Sequence, residues 1–245
     1  MNPVAAGQFR PASPCSRPVS WAATGRYGGI STTPFESLNL STTVGDDQRA
    51  VLANQTRASQ LVGAQHYRVL DANHGAQVAF VSDGGIAAGC DGMVTTTSGL
   101  ALMVLAADCV PIVFADPAHG VVAVAHCGWR GLAAGIVQAT VELMHAHGAK
   151  RIHAITGPAI CVDCYPVRQD CTTQLQAGLP DDIFSSIIKM SGNQYFVDVR
   201  AGVHAQLDAY GIESSSILRC THEDPSLFSY RRDTQTGRQA MVIAL

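Results

Sequence analysis

Apolar positions fall into short unbroken runs in the middle of the chain and into helical spacing further on. Leu100–Ala106 has no polar position on either face, and 121–125 repeats the pattern. Such runs predict strands covered on both sides. The segments 77–81, 112–115, 152–155, 216–219 and 239–243 read as further strands. Beyond Gly131, the residues Leu132, Ile136, Val137, Thr140, Val141 and Met144 recur at helical spacing until Gly148 ends the pattern. Two more amphipathic stretches, 168–177 and Val199–Ala209, predict helices. Buried strands alternating with a few helices predict an α/β (mixed α+β) fold, a single domain with a central mixed β-sheet flanked by helices. Residues 1–16 mix Pro, Ser, Ala and Gly without periodicity. They predict a flexible N-terminal tail, which leaves 17–245 as the folded domain.

Composition narrows the function classes. Of the 245 residues, 47% are hydrophobic and 14% charged, against ~25% charged in an average domain. That excludes a disordered chain. With 16 basic and 19 acidic residues, a net charge of −3 and no basic run, no nucleic-acid partner is expected. The apolar stretch 100–107 stops at Asp108, well short of the ~20 residues a membrane span needs. The first residues carry no apolar signal core, so a cytoplasmic chain is expected. Its eight cysteines then read as thiols or ligands rather than disulfides. The glycosylation sequons at Asn39 and Asn54 read as accidental.

Chemistry concentrates between Asp108 and Gly131. Cys109 follows one buried strand in Ala107-Asp108-Cys109-Val110-Pro111. His126 ends another in Ala125-His126-Cys127-Gly128-Trp129-Arg130-Gly131. Two strands between them bring the chain back to the same edge. A thiolate meeting an imidazole there makes either a nucleophile with its base or two ligands of a borderline-soft metal. His74, in Asp71-Ala72-Asn73-His74-Gly75, is a third candidate. Two His and one Cys leave a tetrahedral metal with one open position, the pattern of catalytic zinc. Buried structural thiols are the competing reading.

These motifs resemble those of the YfiH-type laccase-domain family. The resemblance continues in Gly157-Pro158-Ala159-Ile160, Cys164-Tyr165, Cys220-Thr221, Phe228-Ser229-Tyr230-Arg231-Arg232-Asp233 and Thr236-Gly237-Arg238. Near the start, Gly28-Gly29-Ile30-Ser31 and Ser37-Leu38-Asn39-Leu40 match as well. Members of that family were long described as polyphenol oxidases and are now regarded as zinc-dependent purine nucleoside enzymes. The resemblance implies His74, Cys109 and His126 as metal ligands, with Zn2+ as the cofactor and Cu2+ as the alternative. It implies phosphorolysis of adenosine, inosine, guanosine and methylthioadenosine, and deamination of adenosine. The partners are then a nucleoside and phosphate.

Deamination needs an acid–base group beside the attacked base. Asp108 and Asp91 are the candidates, each weighed against a loop-orienting role. Phosphorolysis needs an anion site. Arg130, set between Gly128 and Gly131 before a predicted helix, suits it, and Arg231, Arg232, Arg238 and Asn39 are further candidates. Departures from the family pattern fall at Asp71, where Gln is common, at Cys161, where Gly is common, at Pro166 in place of Glu, and at Cys127 in place of Ala. Cys161-Val162-Asp163-Cys164 has redox or zinc-knuckle spacing, but no second pair in the sequence completes a four-thiol site. Two other functions compete: a Cys109–His126 hydrolase or amidase acting on a cell-wall precursor, and a copper oxidase, although the dense His-x-His arrays of a multicopper cluster are missing.

Overall fold

The computed structural model describes residues 2–9 and 18–245. Two six-stranded mixed sheets pack face to face, with helices on both outer sides. The first sheet runs Ala5–Phe9, Val19–Ala23, Gln239–Ala244, Leu100–Ala106, His66–Asp71, Gly85–Ala88. Its first four strands are antiparallel neighbours and its last two pairings are parallel. The second runs Glu213–Ser216, His153–Thr156, Val110–Asp116, Val121–Cys127, Gly92–Thr95, Val78–Phe80, with parallel pairs at its two edges. The single central sheet expected from sequence is therefore two large sheets, with a small antiparallel three-stranded sheet of Pro166–Val167, Gln194–Val197 and Ile188–Ser191 beside them. Leu100–Ala106 and Val121–Cys127 do not share one; they lie in facing layers.

The strand alternation explains the layering. In Val121–Cys127 the odd positions Val121, Ala123 and Ala125 pack toward the helices, with Leu132, Ile136, Val141 and Val203. The even positions Val122 and Val124 pack toward the other sheet, with Leu102, Val104, Met241 and Ile243. Every residue of this strand is buried, so both faces read apolar, as a doubly covered strand requires. On the far side of the first sheet, Gln48–Gln60 lies over Ala101, Met103 and Val242.

Several expectations shift. Ala5–Phe9, inside the expected tail, is an edge strand paired with Val19–Ala23. Residues 10–16 of that tail, including Cys15, lie outside the described residues. The helix expected from Gly131 to Gly148 is two helices, Trp129–Ala134 and Ile136–Ala146, broken at Gly135, whose φ is 83°. That left-handed conformation ends the first helix and suits glycine. The strand expected at 216–219 is Glu213–Ser216 instead, a polar edge. Asn39 and Asn54 are fully buried, so neither sequon is accessible. No described helix is long and apolar enough to cross a membrane.

Candidate metal centre and its cavity

The sheets part at one end of the sandwich, and the candidate site fills the gap. Pro111 lies opposite His126 in the ladder between Val110–Asp116 and Val121–Cys127. His126 continues the even, inter-sheet parity of Val122 and Val124. Two residues before Pro111, Cys109 falls on the same side. Cys127, of opposite parity, is buried among the helix-facing apolar residues and burial pushes its thiol well up, so it is not a spare ligand. His74 arrives from the loop after His66–Asp71 in the other sheet, with φ 66°.

The donor atoms of His74, Cys109 and His126 all lie within 4.8 Å of one another. The two imidazoles meet edge to face, centroids 4.8 Å apart. Gly128 makes this approach possible: a Cβ there would stand 3.0 Å from Cys109 Sγ and 3.3 Å from His74 Cδ2. His126 is 5% exposed, Cys109 is half-buried and His74 is exposed, so the trio has a closed back and an open front.

Asp91 forms the back. It is fully buried, and its Oδ1 and Oδ2 accept from the amides of His74 and Gly75, each at 2.7 Å. Its Oδ1 lies 3.4 Å from His126 Nδ1, and its carbonyl accepts from the His126 amide at 2.8 Å. Burial alone would raise the Asp91 pKa, but the donors from His126, Gly75 and His74 outweigh it and hold it below the usual carboxylate value. His126 Nδ1 is a buried atom with no full hydrogen bond. Turned to a carboxylate, it leaves Nε2 for the site, as in carboxylate–histidine–metal arrangements. Burial also pushes the Cys109 thiol up, yet His126 and His74 bring it down to about 6. Burial pushes His126 down, yet Cys109 and Asp91 raise it to about 9. The metal-free trio is thus a thiolate beside an imidazolium, and the thiolate is the form that ligates. Two imidazoles and a thiolate around one point fit a borderline-soft cation.

A cavity of about 470 Å3 opens in front of the trio. Its wall carries three arginines, each over an aromatic ring of the same wall: Arg130 over Trp129 at 4.3 Å, Arg231 over Tyr165 at 4.8 Å, and Arg238 over Tyr230 at 5.9 Å. Each guanidinium thus lies over one face of a ring at the cavity wall. Ser41, Thr43 and Asp71 line it as well.

The other expected site residues divide. Asp108 lines the cavity, but its Oδ1 accepts from Thr221 Oγ1 at 2.6 Å and Ser229 Oγ at 2.7 Å, and its Oδ2 from the Arg231 amide at 2.6 Å. It holds φ 106°, a strained conformation outside glycine. Asp108 and Asp91 thus both make loop-orienting bonds. Arg232 does not reach the cavity: its Nη1 donates to the carbonyls of Thr221, His222 and Asp224, its Nη2 to Leu227, and its Nε to Asp233. Asn39 is fully buried, donating to Ser41 O and Asp46 Oδ2 and accepting from the amides of Ser41 and Arg238. Both build the frame because every polar atom they could offer a ligand is already engaged. The Phe228–Asp233 segment is two-sided: Ser229 and Arg232 hold the chain, while Tyr230 and Arg231 face the cavity. Sequence reading missed Ser41, Thr43 and Tyr230 as wall residues. No local signal marks them, since their position depends on the packing of the two sheets.

A fold of this layering, with a soft-donor trio at the parting of its sheets, defines a class. Residues 20–245 match the family model described as multi-copper polyphenol oxidoreductase laccase, and the chain belongs to that family. It is 43% identical over 243 residues to a Streptomyces griseus protein named purine nucleoside phosphorylase ORF3, covering 95% of this chain and 97% of that one. Its structure is similar to that of Neisseria meningitidis protein NMB0706, with a TM-score of 0.84, 32% identity and 98% of each chain covered. It is similar too to Bacillus licheniformis YfiH, with a TM-score of 0.85, 28% identity, 93% of this chain and 92% of that one.

Proposed function

We propose that this chain is a zinc-dependent purine nucleoside enzyme, one that phosphorolyses adenosine, inosine, guanosine and methylthioadenosine and deaminates adenosine. The observation that carries the reading is the convergence of His74, Cys109 and His126 in a cavity lined by three arginines and three aromatic rings. Zinc held by these three residues would supply a Lewis acid that makes water acidic near neutral pH. Trp129, Tyr165 and Tyr230 offer stacking faces to a purine. Arg130 and Arg231 offer the charge that binds phosphate. Asp91 keeps His126 oriented, and Asp108 keeps the Arg231 backbone in place. Asp71, also on the cavity wall and with no side-chain bond to a described residue, takes the proton-carrying role first sought in Asp108 and Asp91.

Incubation with adenosine, with and without phosphate, followed by chromatography tests the reading. Adenine formed only with phosphate marks phosphorolysis, and inosine formed without phosphate marks deamination. Neither product at high enzyme concentration overturns it.

Two imidazoles and a thiolate are also the donors of a mononuclear copper centre, which keeps the oxidase reading of the family description in view. Such centres add a weak axial Met, and among the described residues no methionine lines this cavity. Metal analysis of the purified protein separates zinc from copper. Turnover of an amide substrate that survives chelation would instead point to a Cys109–His126 nucleophile.

A further inference from the structure

A second group of soft donors lies outside the cavity. Cys161 caps and Cys164 ends one turn of 3-10 helix, Val162–Cys164, as in a metal knuckle. The chain brings Cys220 and Glu223 to the same point, and the four ligand atoms all lie within 4.8 Å of one another. Two distant segments are zipped together to achieve this: Ala159 and Cys220 form a parallel bridge, the Ala159 amide donates to Arg219 O, and the Thr221 amide donates to Ala159 O.

Main-chain amides suit a thiolate at Cys220, whereas burial and the neighbouring sulfurs push the Cys161 and Cys164 thiols up. The Cys161 amide donates to Cys220 Sγ at 3.2 Å, and the amides of His222 and Glu223 point to the same sulfur. Cys164 Sγ donates to Glu223 Oε1 at 3.6 Å, a thiol and a carboxylate already in contact. The Arg200 guanidinium, donating to Ala159 O and Arg219 O, is close enough for its charge to be felt by Cys161 and Cys220. Its Nε is buried without a partner. Three thiolates and a carboxylate around a divalent ion leave net negative charge, and this arginine and these amides offset it.

We propose that Cys161, Cys164, Cys220 and Glu223 form a second, structural zinc site, separate from the cavity trio. Three sulfurs and one oxygen close a tetrahedron and leave no position for a reactant, which is the structural rather than the catalytic pattern. The ion would clip the 159–165 turn to the 219–224 turn. Tyr165 and, through Arg231 Nη1 donating to Pro166 O at 2.9 Å, the Arg231 side chain hang from the first turn. Thr221, which holds Asp108, hangs from the second. Binding would release the thiol protons and consume no oxidant or reductant.

The test uses the full chain with the cavity trio disabled, Cys109→Ala with His126→Ala, loaded with Co2+ in the presence of reductant. One equivalent of cobalt with a thiolate-to-metal charge-transfer band is expected. Adding Cys161→Gly or Cys220→Ser should take that equivalent and its band to near zero at the same free cobalt. Unchanged circular dichroism of each variant confirms that its fold is kept. No bound cobalt in the trio-disabled chain overturns the proposal. So does cobalt binding that survives Cys220→Ser, or recovery of these thiols as a disulfide from protein handled without oxidant. Because the readout is cobalt on a chain without the cavity trio, its outcome is independent of whether the nucleoside activity is found.

Discussion

His74 and Cys109 come from loops at the ends of the two sheets and His126 from a strand, all backed by a buried carboxylate, whereas Cys161, Cys164, Cys220 and Glu223 come from two turns and are backed by main-chain amides. The first group faces a cavity; the second faces itself. Donors that must leave room for a reactant have nothing in front to hold them, so their geometry has to be fixed from behind. Asp91, with its two 2.7 Å bonds, does that. In a closed site the ion itself ties the ligands together, and short-range turn bonds suffice. The first site is therefore expected to be sensitive to side chains that never touch the metal, and the second to its ligands alone.

The largest test of this contrast is Cys109→Ala. Both nucleoside activities should fall beyond the roughly 10–100-fold that loss of a supporting residue costs, with one metal equivalent lost by elemental analysis, while Cys161→Gly leaves turnover measurable. Asp108→Ala comes next. It orphans the donors of Thr221, Ser229 and the Arg231 amide, and should cost about 3 kcal/mol, a melting shift on the order of 6–12 °C by calorimetry. Asp108→Asn, which keeps the shape, should cost less stability; a collapse of kcat with an unchanged melting point would restore Asp108 to the chemistry. Asp91→Asn should weaken metal binding at the cavity trio by about 10–100-fold and leave cobalt at the second group untouched in a competition titration.

The pH dependence of metal uptake sharpens the same point. In the metal-free chain His126 keeps its proton up to about 9, and Cys109 has lost its own above about 6. Uptake between those limits displaces one proton, so affinity should weaken about tenfold for each unit lowered from 9 to 6, and faster below 6 where Cys109 also protonates. A flat profile measured by chelator competition would show that the pair carries no proton over this range. Arg130→Ala should have the smallest effect. Arg130 is exposed, so loss of its charge should raise the KM for phosphate by about fivefold, near 1 kcal/mol, with deamination unchanged.

What the sequence disclosed follows from how each element is buried. Leu100–Ala106 and Val121–Cys127 were legible because both faces are covered, which writes an unbroken apolar run. Which sheet each belongs to was not, since pairing partners leave no trace in such a run. Glu213–Ser216 was displaced to 216–219 because the apolar Ile217 and Leu218 follow it. The true strand is polar, and His204 bonds Ser214 and Ser216 at 2.7 and 2.6 Å. The helix Gln48–Gln60 went unseen because much of its buried face is polar: Asn54 donates to Ser31, Ser37 and Asn39, and Gln55 donates to Leu40 O. The metal trio was readable because its members sit where strands end. Arg232 and Asn39 were misplaced because frame residues and wall residues occur side by side in one motif, and only contacts tell them apart. Cys220 and Glu223 were invisible as partners of Cys161 because folding, not spacing, joins them.

The strand Gln239–Ala244 sits inside its sheet, between Val19–Ala23 and Leu100–Ala106. The sheet therefore cannot close until the 239–244 segment has been made, after every other strand of both sheets. Until then Leu100–Ala106 offers an unpaired apolar margin, and the wall bearing Tyr230, Arg231 and Arg238 has nowhere to dock. Loss of this strand would thus open the middle of the first sheet rather than trim its rim.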